Sequence, residues 1–184
     1  LAVIAYFRKS LFIRIDWRNW RGILIRAFAE LAATMLFLTA LAQMPLANIT
    51  AILQSLPLTV TMFAAVFFGE AVGWRRWSAI LVGFIGVLII IRPGSDGFNE
   101  YAVLALVAVG FITLRDAITR RLDRSVPSLF VAFVSAIPIF LFGGAMTVTT
   151  GWTPISWSMG MIVIVAAIAI TCGYSFAVMA MRNG

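Results

Sequence analysis

LANITAILQSLPLTVTMFAAVFFG, residues Leu46–Gly69, contains no Asp, Glu, Lys or Arg. About 20 predominantly apolar residues cross a bilayer as a helix. The stretch lacks the alternating polarity of a barrel strand, and in hydrocarbon the backbone must satisfy its own polar groups, which leaves the helix as the consistent form. The same reading works outward along the chain. Ile23–Met44 precedes it, and Trp77–Ile91, Tyr101–Thr119, Ser128–Val148 and Trp157–Met181 follow. The expected fold is an all-α membrane protein with six transmembrane helices, the short Trp77–Ile91 span being marked at its interfaces by Trp74, Trp77 and Arg92.

Composition agrees. Of 184 residues, 62% are hydrophobic and 11% charged, and the mean hydropathy is +1.04. Soluble domains are about half apolar and about a quarter charged, so lipid must solvate much of this side-chain area. The net charge of +7, from 14 Lys and Arg against 7 Asp and Glu, would suggest a nucleic-acid surface in a soluble chain. Here the basic residues sit between apolar runs, and with alternating spans all but Arg92 fall on one side, including the cluster Arg8, Lys9, Arg14, Arg18 and Arg21. That is a topology signal, which makes the basic side cytoplasmic and removes nucleic acid from the expected partners. The chain has no histidine, which excludes a His general base or a His-containing zinc site among these residues. Cys172 is the single cysteine, so no intrachain disulfide forms. No metal and no cofactor are expected.

The ends read as cut. Leu1–Phe7 is an apolar stub too short to span and fits the last turns of an earlier helix, while Arg182-Asn183-Gly184 stops where another would begin. The expectation is an internal fragment of a longer protein. Thr34–Met44 can also be laid on Thr171–Met181 with Thr, Ala and Met in step. The two segments lie five spans apart and cross in opposite senses, the arrangement of inverted-repeat transporters.

The run from Ala42-Gln43-Met44-Pro45-Leu46-Ala47-Asn48 through Phe68-Gly69-Glu70, then Arg75-Arg76 and Gly83-Phe84-Ile85-Gly86 to Ile91-Arg92-Pro93-Gly94, resembles the EamA family of the drug/metabolite transporter superfamily. Arg115-Asp116 followed by Thr119-Arg120-Arg121 is similar to bacterial members that take up S-adenosylmethionine. The resemblance implies a ten-helix parent of two inverted repeats. Residues 1–92 would hold the end of the second helix and the third to fifth helices of the first repeat. Residues 93–184 would hold the sixth to eighth helices of a truncated second repeat. It also implies the bacterial cytoplasmic (inner) membrane, crossed several times.

Polar groups at bilayer depth are costly, so they mark where function can sit. Thr50, Gln54, Pro57 and Thr61, spaced by four, three and four, share one helical face. Pro57 removes an amide donor and would free the carbonyl of Leu53, an acceptor beside the Gln54 amide that suits a polar solute. Helix-to-helix bonding is the structural alternative for the same face. Glu30 is the carboxylate well inside the first span, one turn from Arg26, and reads either as half of a snorkelling ion pair or as a proton-coupling group. Thr113, Asp116 and Arg120, with Arg115 adjacent, form either a positive-inside anchor, in which Asp116 and Arg120 pair, or an inner gate that meets a zwitterionic solute. Tyr174, between Thr171 and Ser175, can line a cavity or face a neighbouring helix.

Together with the resemblance, the residues predict a non-enzymatic, multi-spanning carrier that moves a small organic metabolite by alternating access. Thr50, Gln54, Thr61 and Tyr174 are its substrate-binding candidates, and Glu30, Arg115 and Asp116 its coupling or gate candidates. Its expected partners are a small-molecule solute and the lipid bilayer, with a homodimer left open. A membrane-embedded enzyme and a non-transporting structural subunit are the alternatives.

Overall fold

The computed structural model describes residues 15–91, 100–123, 125–151 and 156–183. Among them every regular element is an α-helix: α1 (Trp17–Gln43), α2 (Leu46–Leu53), α3 (Leu56–Phe68), α4 (Trp74–Ile91), α5 (Glu100–Arg121), α6 (Ser128–Thr150) and α7 (Trp157–Asn183). Each of the six expected spans falls on helix, with α2 and α3 sharing one. The segments 17–43, 46–68, 100–121 and 128–150 are long and apolar enough to cross a membrane.

Local chemistry sets the helix ends. Pro45 takes an extended conformation, φ −56° and ψ 135°, so α1 stops at Gln43 and α2 begins after the proline. Pro127 does the same before α6, at φ −64° and ψ 134°. α3 ends on Gly69, whose φ of 65° is the left-handed conformation that closes a helix, its amide returning to the Ala64 carbonyl.

The second span differs from a single continuous helix. It breaks at Gln54–Ser55, and Pro57 lies in the first turn of α3, where a missing amide donor has no consequence. Ser55 is buried, and its hydroxyl donates to the Ile52 carbonyl at 2.6 Å, so the break is stitched by a side chain.

The chain divides into two compact units, Leu1–Ala27 with Thr119–Gly184, and Phe28–Ile118. In the first, Ile23, Leu122, Val126, Phe130 and Val131 form the core, with Trp20 edge-on to Phe130 at 5.8 Å. α7 packs on α6 and exposes a long apolar surface that includes Ile162, Val163, Ile164 and Val165. In the second, the core is Ala40, Met44, Ile49, Ile52, Val87, Ala102, Ala105 and Val109. Ala29, Ala33, Ala40, Ala102, Ala105 and Ala108 are all buried here, the small-residue packing by which helices approach one another without a hydrophobic driving force. Both α2 and α3 pack on α4. At Gly83 of α4 a Cβ would stand 2.2 Å from the Leu58 side chain, so the backbone there runs close under α3. α4 opens with the Arg75 guanidinium over the Trp74 ring at 5.8 Å, an amphipathic start suited to an interface.

Candidate functional site

In the unit 28–118, α1 and α5 bring together three charged side chains that the sequence places up to 86 positions apart. Arg115 donates from Nη1 to Glu30 Oε1 at 2.9 Å and from Nε to Asp116 Oδ1 at 2.7 Å. The side chains of Arg115 and Glu30 are 19% and 11% exposed. Glu30 lies midway along the 27-residue α1. A charge at that depth is expensive unless paired, and here one guanidinium serves two carboxylates through its planar fork. The sequence-predicted coupling and gate candidates are therefore one cluster. Spacing along single helices pointed Glu30 toward Arg26 and Asp116 toward Arg120; the structure adds Arg115 as a cross-helix partner of Glu30, which spacing within one helix does not reveal.

The same unit contains a cavity of about 430 Å³ between α3, α4 and α5. Its lining includes Met62, Phe63 and Phe67 of α3, Phe84 of α4, and Leu106 and Gly110 of α5. Two hydroxyls, Thr59 and Thr113, also line it and lie 2.8 Å apart. Thr59 was not a candidate in the sequence reading, although Thr113 was noted.

Thr50, Gln54, Pro57 and Thr61 are not among the residues that line this cavity. Thr50, Gln54 and Pro57 are exposed and Thr61 is partly so. Thr50 donates its hydroxyl to the Leu46 carbonyl at 2.8 Å and Thr61 donates to the Pro57 carbonyl at 2.8 Å, each within its own helix. Pro57 lies just beyond the break at Gln54–Ser55, in the first turn of α3 rather than within one continuous helix. Tyr174 lies on α7, and its side chain and that of Ser175 are outside the described residues.

In the unit formed by 1–27 and 119–184, Arg26 is 1% exposed, and two neutral hydroxyls are among the partners of its guanidinium. Nε donates to Thr119 Oγ1 at 2.7 Å, and Nη1 donates to Ser135 Oγ. The Ser135 hydroxyl in turn donates to the Val131 carbonyl at 2.9 Å. Arg26 therefore does not snorkel to the surface. Among the described residues every buried side-chain polar atom has a partner, and no group of three His, Cys, Asp or Glu could hold a metal.

Membrane-length helices carrying buried ionic groups define a polytopic membrane protein, and similarity supplies the family. Residues 1–92 match the EamA-like transporter family, and the chain belongs to it. It is 33% identical over 140 residues to the riboflavin transporter of Vibrio cholerae serotype O1, covering 73% of this chain and 46% of that protein. It is 33% identical over 94 residues to an S-adenosylmethionine uptake transporter of Rickettsia bellii, covering 50% of this chain and 32% of that protein. A pseudopaline exporter of Pseudomonas aeruginosa is 23% identical over 161 residues, covering 83% of this chain and 57% of that protein. The chain thus spans about half the length, or less, of the first of these curated relatives. No solved structure matches it.

Proposed function

We propose that this chain is part of a bacterial inner-membrane carrier that moves a small organic metabolite by alternating access, without catalysing a reaction. The observation that carries the reading is the Glu30–Arg115–Asp116 cluster. Ion-paired side chains in the interior of membrane-length helices are costly to keep and mark solute or proton paths. The relatives support the solute class. Their names specify riboflavin, S-adenosylmethionine and pseudopaline, all small organic molecules, in both uptake and export.

In this reading two inverted repeats of a ten-helix bundle rock about a central path. Residues 1–92 belong to the first repeat and 93–184 to the second. Glu30, Arg115 and Asp116 act as the coupling or gating group, breaking and remaking their ion pairs between the two states. Gln54, with its exposed amide, and Thr50, Thr61 and Tyr174 are solute contacts contributed to that path. The basic ends of the helices face the cytoplasm.

The test is solute flux by the full-length protein in proteoliposomes, with riboflavin and S-adenosylmethionine as first solutes in a wider metabolite screen. Saturable flux supports a carrier. Chemical turnover without flux indicates an enzyme, and neither activity indicates a structural subunit. Once flux is found, Glu30→Gln is expected to insert normally and to lose dependence on a pH gradient; retained dependence removes Glu30 from coupling.

A further inference from the structure

The cavity between α3, α4 and α5 has a directional floor. Thr59 Oγ1 lies 2.9 Å from the Leu56 carbonyl, to which it donates. A hydroxyl has one proton, so with that bond kept the 2.8 Å contact between the two threonines takes its proton from Thr113. The relay runs Thr113 to Thr59 to the Leu56 carbonyl, and both protons are committed. What remains at the floor is acceptor capacity only, on the oxygens of two residues that line the cavity. Thr113 is 2% exposed and Thr59 half-buried, so the pair presents its oxygens to the cavity mainly through Thr59.

Three phenylalanines stand in a wall otherwise made by Met62, Val66, Leu106 and Val109. Phe63 and Phe67 stack with centroids 4.4 Å apart and planes 24° from parallel, and Phe84 lines the cavity from α4. Gly110 leaves open space on the α5 side, since a Cβ there would meet nothing within 4 Å. A volume of about 430 Å³ is within the range of small-molecule sites. A flat ring satisfies such walls by stacking. A lipid acyl chain would fill the volume but bring no donor to the acceptor floor.

We propose that this cavity binds the flat heteroaromatic part of a solute and selects rings that carry an N–H, which donates to the Thr113–Thr59 hydroxyl pair. The proposal deepens the carrier reading and rests on it, since it assigns that carrier a solute class and a place to hold it.

The test compares two probes that differ by one methyl group. Theophylline carries a ring N–H, and caffeine has N–CH₃ in its place. Binding of each tritiated compound is measured on the full-length protein in lipid nanodiscs, with empty nanodiscs as the blank. Theophylline is expected to bind saturably and caffeine about tenfold more weakly, the usual cost of leaving a buried polar partner unmade. Thr113→Val should abolish that difference and Thr113→Ser should keep it, which separates loss of the acceptor from loss of the fold. Gly110→Leu, whose side chain enters open space, should lower binding of both. Absence of saturable theophylline binding overturns the proposal. So does equal binding of the two probes, the result expected of a lipid-chain slot, or binding unchanged by Gly110→Leu. Proteoliposome flux is read separately: flux without theophylline binding overturns the cavity assignment alone, and theophylline binding without flux of any solute overturns the carrier reading alone.

Discussion

Arg115 holds Glu30 across two helices, Nη1 to Oε1 at 2.9 Å, while its Nε holds the neighbouring Asp116 at 2.7 Å. Removing the shared cation takes an ion-pair partner from each of two carboxylates that are only 11% and 12% exposed. Arg115→Met is therefore expected to destabilise the protein by about 3–5 kcal/mol. Replacing all three charges together, as Glu30→Gln, Arg115→Met and Asp116→Asn, should recover most of that loss. Thermal unfolding of the purified protein in detergent checks the order; a triple variant less stable than Arg115→Met refutes it.

Arg26 depends on the shape of its guanidinium as well as on its charge. Thr119 and Ser135 are reached from two different nitrogens, which a single ammonium group cannot reproduce. Arg26→Lys is expected to cost about 2 kcal/mol, and Ser135→Ala about 1 kcal/mol. Equal stability of Arg26→Lys and the parent in the same unfolding assay would show that charge alone suffices.

Gly83 is a packing residue. Its missing side chain lets α4 approach Leu58, and a Cβ would sit 2.2 Å from that side chain. Since overpacking of this kind typically costs about 1–3 kcal/mol, Gly83→Val should lower thermal stability, and adding Leu58→Ala should restore part of it. The control is Gly86→Ala on the same helix, where nothing lies within 4 Å of the new Cβ.

Gly69 is a conformational residue. Its φ of 65° is unfavourable for a residue with a Cβ, so Gly69→Ala is expected to destabilise the end of α3 by about 1 kcal/mol. Gly69→Asn should cost less, because asparagine tolerates the left-handed region. Hydrogen exchange at the last turn of α3 reports the difference, and a slower exchange in Gly69→Ala than in the parent contradicts it.

How much of this was legible in the sequence follows from the range of each interaction. The spans were legible because a bilayer-length apolar run is a local property, and all six expected spans fall on helix. The charged candidates Glu30, Arg115 and Asp116 were legible as a set, because charges inside apolar runs stand out. Their pairing was not, because Glu30 and Arg115 are 85 positions apart and only the packing of α1 on α5 decides it. The threonines show a subtler limit. Thr59 and Thr61 are two residues apart, hence on nearly opposite faces at about 100° per residue. A stripe through Thr50, Gln54 and Thr61 passes Thr59 by, and it is Thr59 that meets Thr113. The stripe also assumed one unbroken helix, and the break at Gln54–Ser55 ended that regular spacing.

That break also sets a register. The Ile52 carbonyl is held by both the amide and the hydroxyl of Ser55, and α3 restarts with the Leu58 and Thr59 amides on the Ser55 carbonyl. Ser55 therefore ends one helix and opens the next, and the turn it makes decides which face of α3 carries Thr59 toward Thr113. A single serine thus sets the angular phase at which thirteen residues of α3 meet their neighbours.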